Sequence, residues 1–110
     1  MESTQLQNMI AATRETRGFT TDPVKLCVLL TEEVGELASE IKRTWSANYD
    51  DTTTEKLSEE CADVFVVLAA IANAFGINLE NAIRDKFFAK DARRLWATQG
   101  SPEPKQKRDR

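Results

Sequence analysis

Five carboxylates in two short words carry the chemistry this sequence offers. Glu32, Glu33 and Glu36 sit in Glu32-Glu33-Val34-Gly35-Glu36, and Glu60 and Asp63 sit in Glu60-Cys61-Ala62-Asp63. Both words interrupt otherwise apolar sequence. At about 100° per residue on a helix, Leu26, Leu30, Glu33 and Leu37 fall within about 60° of one another. Glu33 therefore occupies a position that a purely structural helix would fill with leucine. Glu36 follows at i+3, which places its carboxylate on the adjoining turn, and Glu60 and Asp63 repeat that spacing. An unpaired carboxylate set among apolar groups costs several kcal/mol unless a cation or hydrogen bonds compensate it. If the two helices pack antiparallel, the two pairs pool four like charges, which repel without a metal.

Oxygen donors without nitrogen or sulfur favour Mg²⁺, with Mn²⁺ as a substitute, over zinc, and Mg²⁺ sites keep positions open for water and substrate phosphates. The remaining composition narrows the choice further. The chain has no histidine and only two cysteines, Cys27 and Cys61, too few ligands for a Cys/His zinc site. The same absence excludes a Ser-His-Asp triad, a Cys-His pair and the Glu-x-x-His pattern of di-iron bundles. Chemistry here must run on carboxylates, lysines and arginines. The cysteines are read as reduced core residues.

The elements that would position these carboxylates are helical, because the three prolines and three of the four glycines fall at ends and gaps, Gly35 alone lying inside a periodic segment. A first helix is predicted over about residues 3–17, with Leu6, Met9, Ile10 and Thr13 on one side and Gly18 as its stop. Asp22 followed by Pro23 opens a second helix that runs to about Arg43. After a polar linker, Thr44 to Thr53, a capping box of Thr52 and Glu55 opens a third helix that ends near Phe75, before Gly76. That helix is apolar nearly all round and belongs at the centre. Asn78 caps a fourth helix through about Trp96 or Ala97, carrying Leu79, Ala82, Ile83, Phe87 and Leu95. The expected fold is all-α, an antiparallel bundle of about four helices, in one domain over residues 1–99. Residues 100–110 form a basic tail without an apolar anchor, expected to be disordered and solvated.

At 110 residues, with 41% hydrophobic and 30% charged content, the chain fits one small soluble domain. So small a core favours assembly as a homo-oligomer, a homodimer or a dimer of dimers, using apolar positions around the third helix such as Phe65, Val66, Val67 and Leu68. A net charge of −3 gives no general attraction to nucleic acid. No apolar run is long enough to span a bilayer, and the N-terminus lacks a signal-peptide layout, so the expected compartment is cytoplasmic.

The pattern Glu-Glu-x-x-Glu followed by Glu-x-x-Asp, written here as Leu30-Thr31-Glu32-Glu33-Val34-Gly35-Glu36-Leu37 and Glu60-Cys61-Ala62-Asp63-Val64-Phe65, resembles the MazG-like nucleoside triphosphate pyrophosphohydrolases. The likeness covers roughly residues 24–96 and places the chain beside the all-α NTP pyrophosphohydrolase superfamily. The resemblance implies a hydrolase of nucleotide metabolism in which helical carboxylates hold Mg²⁺ while water attacks the α-phosphate. A (deoxy)nucleoside triphosphate would yield its monophosphate and pyrophosphate. Carried over by position, Glu33, Glu36, Glu60 and Asp63 are the metal ligands, and Glu32 orients or deprotonates the attacking water.

Substrate contacts come from elsewhere in the chain. Trp45 and Tyr49, in the polar linker, are candidates to stack on a nucleobase, with local packing as the alternative. Lys86, Lys90, Arg93 and Arg94 on the fourth helix could reach phosphate oxygens or simply form a solvated face. The family resemblance implies a Lys, Asn, Arg cluster there, whereas this chain carries Asp91 in place of the expected amide. Trp96 reads as a core or interface lid. Two other readings compete: phosphoribosyl-ATP pyrophosphohydrolase, with a similar fold and motifs, and a non-catalytic, metal-stabilised helical interaction module.

Overall fold

The structure, a computed structural model, describes residues 1–95. Among them are four α-helices and no strand: α1 Ser3–Thr16, α2 Pro23–Lys42, α3 Thr54–Ala74 and α4 Leu79–Ile83, the last continuing as a π-helical segment, Arg84–Lys90. The lid role of Trp96 and the tail 100–110 lie outside the described residues, whereas the fourth helix, expected to reach Trp96 or Ala97, ends at Lys90. Two compact units are distinguished, Met1–Leu79 and a second from Glu80 onward.

In the first unit the helix boundaries follow local chemistry. The Asp22 carboxylate accepts from the Val24 N–H at 2.9 Å, and Pro23 takes the first helical position, where no bond is lost. Gly18 and Gly76 adopt φ of 73° and 66°, the left-handed conformation that ends α1 and the α3 segment. The start of α3 corrects the expected capping box by one residue. Thr53, not Thr52, is the cap, accepting from the Lys56 N–H at 3.2 Å. The Thr52 hydroxyl is taken by Glu40 instead, at 2.5 Å.

Helices α2 and α3 form an antiparallel hairpin. Leu26, near the start of α2, is fully buried against Val67 and Ala70, with Leu29, Leu30 and Ile71 around them. Near the other end Glu40 meets Thr52, so residue numbers rise along one helix as they fall along the other. Helix α3 is central, as its composition implies, because α1 packs on it as well.

The docking of α1 departs from its apolar pattern. Leu6 and Met9 are 40% and 52% exposed, whereas Gln7 is buried. The Gln7 amide donates to Asn73 Oδ1 at 2.8 Å and to the Ile77 carbonyl at 2.6 Å, and its oxygen accepts from the Leu79 N–H at 3.0 Å. Asn73 returns a bond to the Gln7 carbonyl at 3.2 Å. A polar latch to the turn after α3 thus outweighs burial of Leu6 and Met9, because it satisfies the Ile77 carbonyl in that turn and the Leu79 N–H that opens α4, neither of which has a helical partner there.

In the second unit the expected long helix is replaced. The π-helical turn closes with Asp91 N–H donating to the Lys86 carbonyl at 2.9 Å, and the helix stops at Lys90. The same five-residue spacing lays the Asp91 carboxylate on the Lys86 ammonium, 2.7 Å from each oxygen. Arg94 Nη1 lies 3.6 Å from Asp91 Oδ1, and Arg84 pairs with Glu80 at 3.5 Å. Phe87 and Phe88 are exposed and tilt against each other at 5.3 Å. No single helix among the described residues is long and apolar enough to cross a membrane.

Candidate metal centre

The antiparallel register that sets Leu26 against Ala70 brings the two acidic words together halfway along the hairpin. Glu33, Glu36, Glu60 and Asp63 each offer one carboxylate oxygen to a common point, all four within 4.8 Å of one another. Glu33 and Glu60 are half-buried on the inward stripe, one replacing leucine in the α2 run Leu26, Leu30, Glu33, Leu37. Glu36 and Asp63 open to solvent at the rim.

The electrostatics of the cluster are strained in one direction. Burial, then the charges of Glu36 and Asp63, raise the Glu33 carboxyl above its ordinary value. Burial, followed by Glu36, Asp63 and Glu40, does the same at Glu60. Glu33 Oε2 and Glu60 Oε2 are both shut off from solvent and have no hydrogen-bond partner. Buried polar atoms ordinarily find one. Two such oxygens in a cluster of four hard donors fit a hard divalent cation, and the carboxylates of Glu36 and Asp63 face solvent.

Glu32, the expected water-activating residue, is exposed and stands apart from the four converging carboxylates, about 100° around α2 from Glu33. Trp45 is 75% exposed in the linker. Tyr49, 48% exposed, lies under two cations of its own chain: Lys42 Nζ is 4.4 Å and the Arg43 guanidinium carbon 5.4 Å from the ring centroid. Lys86, Lys90, Arg93 and Arg94 all belong to the second unit, where Asp91 holds Lys86 and Arg94. Its carboxyl is kept below the ordinary value first by the hydrogen bond from Lys86.

Two features escaped the sequence reading. Glu40 lies beside the cluster, 17% exposed at its side chain, bonded to Thr52 and 3.6 Å from Arg43 Nε. Its signal was present, since Glu40 continues the inward stripe at i+4 from Glu36 and i+7 from Glu33. The cysteines are corrected as well: Cys27 and Cys61 are free, but both are exposed rather than in the core. Each stands one residue past an inward-facing one, Leu26 or Glu60, which turns it about 100° away from the helix contact.

Comparison with known proteins agrees with this geometry. The profile of the MazG nucleotide pyrophosphohydrolase domain matches residues 21–95, a span that holds both acidic words. An uncharacterised protein of Bacillus subtilis (strain 168), YpjD, is 35% identical over 74 residues, covering 63% of this chain and 67% of its own length. No solved structure matches the chain at a significant level.

Proposed function

The chain belongs to the MazG nucleotide pyrophosphohydrolase family, and from that premise we propose that it hydrolyses a (deoxy)nucleoside triphosphate to the monophosphate and pyrophosphate by water attack at the α-phosphate. The observation that carries this reading is the pair of orphaned oxygens, Glu33 Oε2 and Glu60 Oε2, within a cluster of four carboxylates. Glu33, Glu36, Glu60 and Asp63 would hold Mg²⁺, which when bound neutralises the triphosphate and acidifies water. Glu33 and Glu60 form the rigid inner half of the site, since they stand on the packed side of two helices. Glu36 and Asp63, at the rim, complete the donor set on the side from which phosphate arrives. Glu32, exposed on the next position of the same helix, accepts the proton of the attacking water. Trp45 offers a stacking face for the base. No covalent protein intermediate is needed.

The same reading includes self-association. Residues one position past the inward stripe of α2 are Cys27, Thr31, Val34, Ala38 and Ile41, and those past the inward positions of α3 include Cys61, Phe65 and Leu68. In an antiparallel hairpin these lie on one flank, and α1 holds the other through Asn73. Val34, Ile41, Phe65 and Leu68 are 40–48% exposed, and Phe75, further along the same flank, is 63% exposed. Contiguous exposed apolar positions of this kind mark a contact surface. A second copy fits it, because two identical hairpins joined face to face make a four-helix bundle and bury both strips at once. Two exposed, unpaired cysteines suit a reducing, cytoplasmic compartment.

The decisive experiment incubates the purified chain with a panel of ribo- and deoxyribonucleoside triphosphates and Mg²⁺ or Mn²⁺, and measures monophosphate and pyrophosphate. Formation of both in equal amounts supports the assignment. Absence of turnover at every pH and with every metal leaves the non-catalytic helical module as the function of this domain.

A further inference from the structure

We infer that Glu40 is a positioning residue that fixes the α2–α3 linker, and with it Trp45 and Tyr49, relative to the acidic cluster. This rests on the nucleotide reading above and adds how base and phosphate are held in register.

The position of Glu40 runs against two local preferences. It lies in the last turn of α2, where the helix dipole favours cations over carboxylates. It also adds a fifth negative charge beside the cluster, where it acts on Glu60. Its bonds supply the offset, because the two carboxylate oxygens reach opposite ends of the linker. Oε1 accepts from the hydroxyl of Thr52, the residue before the α3 cap, at 2.5 Å. Oε2 lies 3.6 Å from Nε of Arg43, at the linker's start. Arg43 passes the constraint inward: Nη1 donates to the Asp50 carbonyl at 3.3 Å, and its guanidinium faces the Tyr49 ring together with Lys42.

One carboxylate thus ties both ends of a polar segment whose two aromatic side chains, Trp45 and Tyr49, are exposed. Glu40 stands one helical turn, about 6 Å of rise, from Glu36. A ribose bridges a gap of that order between a phosphate held at the cluster and a base held at the linker. Brace and ligands share the rigid hairpin, so the linker keeps its distance from the metal ligands without touching them.

The test uses Glu40→Ala, Thr52→Val and Thr52→Ser in the full chain, with two readouts. The first is steady-state hydrolysis with Mg²⁺: Glu40→Ala and Thr52→Val raise KM about tenfold while kcat changes less than about threefold, because binding geometry is lost and the ligand set is kept. The second needs no turnover. Chymotryptic cleavage after Trp45 and Tyr49, followed by mass spectrometry, accelerates about fivefold in both variants as the linker opens locally, and Thr52→Ser, which keeps the hydroxyl, restores the original rate. Unchanged cleavage in Glu40→Ala and Thr52→Val would overturn the inference. So would a kcat that falls as far as kcat/KM, since Glu40 would then act with the metal ligands. If the unaltered chain turns over no nucleotide, the pyrophosphohydrolase reading fails, and the cleavage rates still decide whether Glu40 braces the linker.

Discussion

Glu33 on α2 and Glu60 on α3 each turn one oxygen, Oε2, into the hairpin, away from solvent and from every hydrogen-bond donor. Two like-charged groups in that arrangement destabilise the folded chain unless a cation compensates them.

Replacing ligands separates function from folding. Glu33→Gln and Asp63→Asn are expected to lose at least about 100-fold in pyrophosphate release, on the scale seen when metal-site residues are removed. Their melting temperatures without metal should equal or exceed that of the unaltered chain, because charge repulsion in the cluster falls. Circular dichroism melts alongside the assay check both halves. Full activity in either variant refutes the ligand set.

The pH dependence follows from the raised carboxyls. Glu33 and Glu60 both titrate above the ordinary value of 4.5 in the folded chain, so between these limits the folded state binds more protons than the unfolded. Their contribution to stability is fully present below pH 4.5 and is lost as pH rises through the folded values. In chelator, the melting temperature is therefore expected to fall from pH 4.5 towards neutrality, with a shallower fall in Glu33→Gln. Asp91 has the opposite sign and acts only as pH drops below 3.8, outside this scan. Mg²⁺ should restore the neutral-pH loss, and a melting temperature indifferent to both pH and Mg²⁺ would contradict the site.

Asp91 ties down Lys86 and Arg94, two of the cations that the sequence offers as phosphate contacts. Asp91→Asn leaves an amide at this position and releases both charges. The expected result is a fall in nucleotide KM of about threefold at low ionic strength, fading as salt screens the cations. A KM that does not move removes these residues from the substrate site.

The apolar flank of the hairpin is tested by charge. Phe65→Asp and Val34→Lys, each on the exposed strip, should convert the assembly to monomers by light scattering at micromolar concentration. An unaltered chain that is already monomeric would dispose of this surface as a self-association site.

Asp22-Pro23, Gly18 and Gly76 announced helix ends because capping and positive φ are local properties, decided within a few residues. The four clustered carboxylates were legible for a similar reason: a carboxylate on an apolar stripe, paired at i+3, is a property of one helix. Thr52 was misassigned as a cap because two adjacent threonines offer equal local chemistry, and only the approach of Glu40 distinguished them. Gln7 was passed over because a polar side chain is buried only where distant groups, here Asn73, Ile77 and Leu79, supply its bonds.

By itself, then, the sequence determined the helical class, the limits of α2, the end of α3 and which four carboxylates share an i, i+3 pattern on inward stripes, since period, caps and spacing are short-range. Tertiary structure alone decided that the two acidic pairs meet at one point, that two of their oxygens are left without partners, and that Glu40 joins the cluster to the linker. Those outcomes depend on the register in which α2 and α3 pack. Burial of Leu26 against Val67 and Ala70 sets that register, and no pattern within either helix does.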